Sequence, residues 1–209
     1  MLVPKKMPKV VLTPIEAPWV IDIIDEYFDD AVSMLDETCV IYGGAIRDAL
    51  AGIKIEGDLD ILIPDWNRSS INGSFISSTR WSELRKKSNY PEESTLRHLL
   101  SSIHTYVNSN GREVQIISPL EKQGTKIHEF DSDIINVVSS VDIVCCGVMM
   151  DIFGNVFEVA KGALDDCKRR ELHLSKELDR SKIKTDHMLS RIKKLEKRGW
   201  INKTGINKM

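Results

Sequence analysis

The chain has few of the residues that build transition-metal sites and disulfide frameworks. Its 209 residues include four cysteines and five histidines. The cysteines have no C-x-x-C spacing, and the adjacent Cys145 and Cys146 face opposite sides of a strand, which suits neither a zinc site nor an ordinary disulfide. The histidines lack ligand-like spacing as well. We therefore predict reduced, mostly buried thiols in a cytoplasmic protein, without structural zinc.

Long apolar runs are also missing. No stretch approaches the roughly 20 apolar residues that span a bilayer. The N-terminal segment contains lysines and prolines but no uninterrupted apolar region, so it predicts an extended arm rather than a signal peptide. We expect no membrane contact. A chain of this length can bury one core, or one domain with an appended helical piece.

Charge is distributed unevenly, although the net charge of the whole sequence is only −2. Residues 1–160 hold 14 basic and 24 acidic residues, a net charge of −10, whereas residues 161–209 hold 15 and 7, a net charge of +8. A basic end on an acidic body is expected where that end binds a polyanion. The alternative is a lysine-rich helix with a solvated face.

The most informative segment is residues 40–63, VIYGGAIRDALAGIKIEGDLDILI. An apolar strand leads into Gly43 and Gly44, and a second apolar strand carries Asp58 and Asp60. Side chains two apart in a strand share a face, and two neighbouring carboxylates there are costly without a cation. Paired glycines let backbone amides approach a phosphate at a helix N-terminus. The segment predicts a metal site beside a triphosphate; a turn with two solvated carboxylates is the alternative.

Periodicity predicts an α+β fold. Helical spacing covers residues 17–36, 45–52, 127–138 and the basic C-terminal segment. Strands are expected at 39–42, 58–63, 103–107, 112–118, 142–150 and 156–159, with a hairpin turn at 108–111. Residues 65–98 are polar and rich in serine, so we interpret them as an insertion or a mobile flap, with a short helix near residues 92–100.

The order of these motifs resembles the head domain of the polymerase-beta-type nucleotidyltransferase superfamily. It is most similar to the bacterial poly(A) polymerase and CCA-adding branch, whose motif Gly-Gly-x-x-Arg-Asp precedes Asp-x-Asp. Matching positions here are Gly43, Gly44, Arg47, Asp48, Asp58 and Asp60. The resemblance implies a mixed central β-sheet flanked by helices, with a head domain at residues 1–175 and a basic helical extension at residues 176–209.

The resemblance also implies roles for individual residues. Asp58, Asp60 and, by position, Asp142 would be the catalytic carboxylates that bind two Mg²⁺ ions. Gly43 and Gly44 would contact the NTP substrate, Arg47 would bind a phosphate, and Asp48 would brace the turn or the arginine. The alternatives are that Arg47 is an ordinary salt-bridge partner and that Asp142 is a strand-edge residue without a site role. The family's Arg-Arg before the third carboxylate is replaced by Ser140 and Val141.

The function implied is transfer of a nucleoside monophosphate from an NTP to a hydroxyl acceptor, most plausibly an RNA or tRNA 3′ end. Lys193, Lys194, Lys197 and Arg198 are the candidate nucleic-acid contacts. Because the helical neck and tRNA-gripping body of the CCA-adding enzymes are missing from this sequence, we expect a compact stand-alone head similar to those of phage and viral proteins. The alternatives are transfer to a protein or small molecule, and a degenerate head that only binds nucleotide or RNA. Base preference, acceptor and oligomeric state stay open.

Overall fold

The computed structural model describes residues 12–84, 99–120, 126–127, 130–175 and 185–206. Its helices are α1 (Pro18–Tyr27), α2 (Gly44–Leu50), α3 (Arg68–Ser77), α4 (Ser132–Ser139), α5 (Ala163–Arg169) and α6 (Thr185–Glu196). Its strands are β1 (Pro14–Glu16), β2 (Val40–Tyr42), β3 (Leu59–Leu62), β4 (Trp81–Leu84), β5 (Leu100–Asn108), β6 (Glu113–Pro119), β7 (Lys126–Ile127), β8 (Phe130–Asp131), β9 (Val148–Met150), β10 (Asn155–Glu158), β11 (Glu171–Leu172) and β12 (Ile201–Asn202). In the part of the chain covered by these ranges, no helix is long and apolar enough to cross a membrane.

Eight strands form one mixed sheet in the order β1-β10-β9-β2-β3-β6-β5-β4. The β3–β6 pair is parallel and its neighbours are antiparallel. Two small sheets, β11–β12 and β7–β8, lie outside it. The predicted α+β class with a mixed central sheet is therefore confirmed, as are the strands on either side of the glycine pair and the β5–β6 hairpin.

The sheet is buried on both faces, and alternation along each strand decides which residues face which layer. Ile41 packs with α1, α2 and α3 in the larger core cluster, whereas Val40 and Tyr42 pack with α4 on the other face. The same alternation places Leu59 and Ile61 of β3 in the larger cluster. The side chain of Asp60 therefore points to the Tyr42 side of the sheet.

The C-terminal helix belongs to the packed structure. Its apolar positions 188, 192 and 195 recur at helical spacing and are buried, together with Trp200. They form a third core cluster with Cys145, Cys167 and Leu172. Met188 is buried, whereas the adjacent Leu189 is half-buried. Residues 185–206 thus pack against the body of the protein, while residues 176–184 of the predicted extension lie outside the described residues.

The segment predicted as an insertion or flap has regular structure over its first part. After a 3-10 turn at Asp65–Asn67, α3 and β4 cover residues 68–84, and β4 is the edge strand next to β5. Ile71, Phe75 and Trp81 are buried in the main core. Residues 65–84 are therefore an integral helix and edge strand rather than a flap. Residues 85–98 and the N-terminal arm lie outside the described ranges.

Three predicted elements have different bounds. The helix predicted over residues 17–36 ends at Tyr27, because Asp29 and Asp30 adopt positive φ angles of 51° and 61° that break helical geometry. The helix predicted at residues 127–138 is α4, preceded by the short strand β8. The strand predicted from Asp142 onward is interrupted by a 3-10 turn at Val144–Cys146, so only its second half, β9, is a strand.

Candidate active site

The site is built where the end of β2 meets the start of β3. These strands are antiparallel, and Tyr42 lies opposite Asp60, so the turn that follows Tyr42 lies against the Asp60 carboxylate. Gly43 has φ 78° and ψ −129°, a conformation that favours glycine. A Cβ at Gly43 would lie 3.6 Å from Asp60 Oδ2. The predicted proximity of the glycine turn to the Asp-x-Asp pair is therefore present.

Asp60 is a half-buried residue, and one oxygen of its carboxylate is enclosed by the protein. Its Oδ1 is inaccessible to solvent and has no hydrogen-bond partner among the residues that the structure describes. Burial raises the pKa of Asp60 well above its ordinary value, and the negative charge of Asp58 raises it further, whereas the positive charge of Arg191 lowers it. A bound cation would remove this penalty. Two neighbouring carboxylates offer the oxygen ligands that Mg²⁺ prefers, so the residues fit the implied metal.

Asp58 has a partner that the sequence did not reveal. Gln115 Nε2 donates a hydrogen bond to Asp58 Oδ2. Because β3 and β6 are parallel and Asp60 pairs with Gln115, Glu113 lies two residues earlier on the same face, beside Asp58. The register thus makes Glu113 a candidate for a third carboxylate beside the pair. The alternation of residues 112–118 indicates that Glu113 and Gln115 share one face of a strand. It does not indicate that this strand pairs with the strand carrying Asp60, because that pairing is a tertiary feature.

Asp142 lies in the segment between α4 and the 3-10 turn. Its Oδ1 accepts a hydrogen bond from Arg191 Nη1 at 2.5 Å. Arg191 Nη2 also lies 3.5 Å from the Cys146 sulfur, and the Arg191 charge acts on Asp60. Arg191 therefore connects the Asp142 segment to the Asp-x-Asp pair. The role of Asp142 as a third metal ligand remains a prediction.

Arg47 is a buried cation with internal partners. Its Nε and Nη2 donate hydrogen bonds to Asp48 Oδ1 at 2.8 and 2.7 Å. Nη1 lies 3.2 Å from the Cys146 sulfur, and the guanidinium stacks over the Trp200 ring at 5.4 Å from its centroid. The side chain is only 6% exposed. This geometry agrees with the interpretation of Arg47 as a salt-bridge partner and of Asp48 as its brace.

The Cys146 thiol lies between two guanidinium groups. The pKa of Cys146 is lowered first by a hydrogen bond from the Cys145 thiol and then by the charges of Arg47 and Arg191, although burial opposes the shift. All four cysteines are free and buried, as the sequence analysis predicted. The Cys146 sulfur thus accepts hydrogen bonds from both arginines, from Arg47 Nη1 and from Arg191 Nη2.

The four predicted nucleic-acid contacts are in different environments. Lys193, Lys194 and Lys197 are exposed on α6 and just beyond it. The Arg198 side chain is 9% exposed and donates hydrogen bonds to Asp48 Oδ2 at 2.5 Å and to the Lys54 carbonyl oxygen at 2.9 Å. It also lies 3.3 Å from the Glu56 carboxylate. Arg198 therefore has structural partners, and only the three lysines form a solvent-facing basic surface.

The backbone amides of the two glycines also differ. The Gly43 amide donates to the Val148 carbonyl oxygen at 3.2 Å, which ties the turn to β9. Gly44 begins α2, where the first amides of a helix have no intrahelical acceptor. Of the two glycine amides, that of Gly44 therefore remains the candidate for a phosphate contact.

Solved structures with the same fold include CCA-adding enzymes. The Thermotoga maritima CCA-adding enzyme complexed with tRNA matches 94% of this chain at 14% identity and a TM-score of 0.62. A CCA-adding enzyme complexed with ATP matches 93% at 14% identity and a TM-score of 0.65. The Bacillus stearothermophilus CCA-adding enzyme complexed with CTP matches 84% at 15% identity and a TM-score of 0.55. These likenesses show that the chain has the fold of the matching part of the CCA-adding enzymes, as the resemblance implied.

This chain spans less than half of each of those enzymes: 44% of the first two and 40% of the third. No protein-family model matches the sequence, and no curated protein matches it either. The similarity is therefore one of fold, in the portion that the chain shares with the larger enzymes.

Proposed function

We propose that this protein is a Mg²⁺-dependent nucleotidyltransferase that moves a nucleoside monophosphate from an NTP to a hydroxyl acceptor, an RNA 3′ end, and releases pyrophosphate. One observation carries the proposal: the Asp60 carboxylate, whose enclosed Oδ1 has no hydrogen-bond partner among the residues described, lies beside Asp58 and against the Gly43 turn. A carboxylate pair held in this way is unfavourable unless a cation binds it. The nucleotidyltransferase fold supports the same chemistry.

Asp58 and Asp60 would hold Mg²⁺, with Glu113 and Asp142 as the candidates for a third carboxylate. A metal held by these residues would supply activation of the attacking hydroxyl and neutralisation of charge on the leaving pyrophosphate. Gln115 fixes the rotamer of Asp58 through its hydrogen bond to Oδ2, so Oδ1 of Asp58 is the oxygen left for the metal. The protein's contribution is to keep the carboxylate oxygens in place before substrate arrives.

The triphosphate needs a cation, and Arg191 supplies it better than Arg47. The Arg191 side chain is 37% exposed and close enough to Asp60 to affect its pKa, whereas Arg47 is enclosed by Asp48, Cys146 and Trp200. A guanidinium presents a fork of N–H donors that matches phosphate oxygens. Arg191 would thus take the place of the arginines missing before Asp142, together with the Gly44 amide.

The RNA acceptor is supported by the lysines of α6. Lys193 and Lys194 project into solvent from α6 and Lys197 from just beyond it, so this part of the chain offers a basic surface to an RNA backbone. The ligands of the solved relatives, tRNA, ATP and CTP, are consistent with this acceptor and with an NTP substrate.

The test is incubation of the purified protein with each α-labelled NTP, Mg²⁺ and RNA that has a free 3′ hydroxyl. We expect label in RNA lengthened by one or more nucleotides. RNA with a periodate-oxidised 3′ end should not be labelled, and Asp60→Asn should be inactive while remaining folded by circular dichroism. Absence of incorporation with all four NTPs would contradict the proposal. Label on protein instead of RNA would identify the alternative acceptor class.

A further inference from the structure

A second cluster of potential metal ligands lies at the end of α5, in a part of the fold that the nucleotide site does not use. Arg170 ends the helix in a left-handed conformation with φ 54° and ψ 43°, which reverses the chain so that β11 returns past the last turn of α5. Glu171 and His173 are two residues apart and share a face, while Leu172 between them is buried in the third core cluster.

Asp166 of α5 meets this face. Asp166 is only 5% exposed, and its Oδ1 lies 2.9 Å from His173 Nδ1. Its Oδ2 is inaccessible to solvent and has no hydrogen-bond partner within the described portion of the chain. One ligand atom from each of Asp166, Glu171 and His173 lies within 4.8 Å of the others. A buried carboxylate oxygen with nothing to bind is costly, and a cation at the centre of the three groups would satisfy it.

We propose that Asp166, Glu171 and His173 bind a divalent transition-metal ion of the Zn²⁺ type. One imidazole nitrogen and two carboxylate oxygens form a mixed N/O donor set that favours Zn²⁺ over Mg²⁺. The His173 side chain is 44% exposed, so the ion can enter from solvent and complete its coordination with water. The site is separate from the Asp58 and Asp60 pair, whose donors are all oxygen.

The position of the ion predicts a structural effect. Residues 171–175 pair with β12 on one side, through Leu172 and Asn202, and with the Asp142 segment on the other, through Ile143 and Leu174. The His173 carbonyl oxygen accepts from the Val144 amide at 2.9 Å. An ion at the three side chains would therefore fasten α5 to the segment that joins the C-terminal strand to the rest of the protein.

The competing explanation is a simple ion pair between His173 and Asp166. Calorimetric titration of the metal-free protein with Zn²⁺, in excess Mg²⁺, distinguishes a metal site from this ion pair. We expect one Zn²⁺ per chain, a higher Tm, and d–d absorption on replacement with Co²⁺. Glu171→Gln keeps the side-chain shape and the His173–Asp166 pair, so a tenfold or greater loss of Zn²⁺ affinity in this variant is expected only for a three-ligand site.

His173→Ala should lose binding altogether, and His104→Ala is the matched control, because His104 forms a comparable pair with Glu83 at 3.2 Å elsewhere on the surface. Should His173→Ala fail to fold, Glu171→Gln still decides the question. The proposal is overturned if wild type takes up no Zn²⁺, if Glu171→Gln binds it as tightly as wild type, or if His104→Ala weakens binding equally.

Discussion

Arg198 Nη2 lies 2.5 Å from Asp48 Oδ2, and the two residues are 150 positions apart in the sequence. Asp48 Oδ1 accepts hydrogen bonds from Arg47, so one buried carboxylate lies between two guanidinium groups. This relationship joins α2, which begins at the glycine turn, to the end of the C-terminal helix. Arg198 is therefore part of the framework beneath the site.

Arg198→Ala should destabilise the protein by about 3–5 kcal/mol, because it removes one of the two guanidinium groups that neutralise the buried Asp48 carboxylate. The control is Arg169→Ala, which removes an exposed pair with Asp165 whose side chains are 63% and 65% exposed. That pair should contribute no more than about 1 kcal/mol. Urea denaturation of both variants measures the difference, and equal stability losses would show that Asp48 does not depend on Arg198.

Replacing Lys193, Lys194 and Lys197 by Gln should weaken RNA binding with little change in the free energy of unfolding, since all three side chains are exposed. Each lost phosphate contact should reduce the slope of log affinity against log salt by about 0.7 for a single strand. Filter binding at several salt concentrations measures this slope. An unchanged slope would mean that the lysines only solvate the helix, and would favour a protein or small-molecule acceptor.

The stability of the metal-free protein should depend on pH through Asp60. Its pKa in the folded chain is raised above the ordinary value of 3.8 that applies in the unfolded chain. At a pH between the unfolded pKa and the folded pKa, the folded chain therefore keeps a proton that the unfolded chain has released. The free energy of unfolding should therefore fall as pH rises through this interval. Urea titrations in EDTA from about pH 4 to about pH 7 should show wild type losing stability relative to Asp60→Asn. Parallel curves would contradict the assigned shift.

Gly43→Ala should lose both stability and transfer activity. The strained conformation should cost about 1–3 kcal/mol, and the new Cβ would lie against Asp60 Oδ2. Gly52→Ala is the control, since Gly52 also has a positive φ, 62°, but open space around its Cβ position. It should lose stability while keeping the specific activity of the folded fraction. If both variants keep full activity, the glycine turn is not part of the substrate site.

Arg191→Ala should weaken binding of a non-hydrolysable NTP, because it removes the partly exposed cation whose charge acts on Asp60. Asp142→Asn is the companion variant: it weakens the Arg191–Asp142 pair but leaves the guanidinium in place. If Arg191 only holds Asp142, the two variants should lose similar stability and neither should change NTP affinity. Calorimetric titration with the NTP, alongside urea denaturation, distinguishes these results.

The sequence predicted the elements whose signals are local. The strand before Gly43, the strand carrying Asp60 and the turn at Asn108 each follow from side-chain pattern and turn residues within a few positions. The end of α1 was not predictable in this way. Asp29 adopts its positive φ where Asn108 and Asn110, far along the chain, donate hydrogen bonds to its carboxylate. A tertiary contact overrides helical periodicity at that point.

In the candidate site, too, some features follow from local sequence patterns and others arise only from tertiary contacts. Gly43 and Asp60 are close in sequence, so their association could be inferred from the motif. Gln115 and Arg191 have no local signal, because their importance arises from parallel strand pairing and from the docking of α6. Arg47 matched its motif but is committed to Asp48 and Trp200, which no pattern in residues 40–63 could indicate.

The burial of Trp200 against the Arg47 guanidinium has a consequence for synthesis of the protein. While the chain emerges from the ribosome, Asp48 lacks its Arg198 partner and the apolar surface that α6 covers stays exposed until residues 185–200 have been released. Contacts between such distant positions form slowly because the intervening loop must first be closed. The nascent chain would therefore pass through an exposed intermediate, and chaperones have most opportunity to bind in that interval.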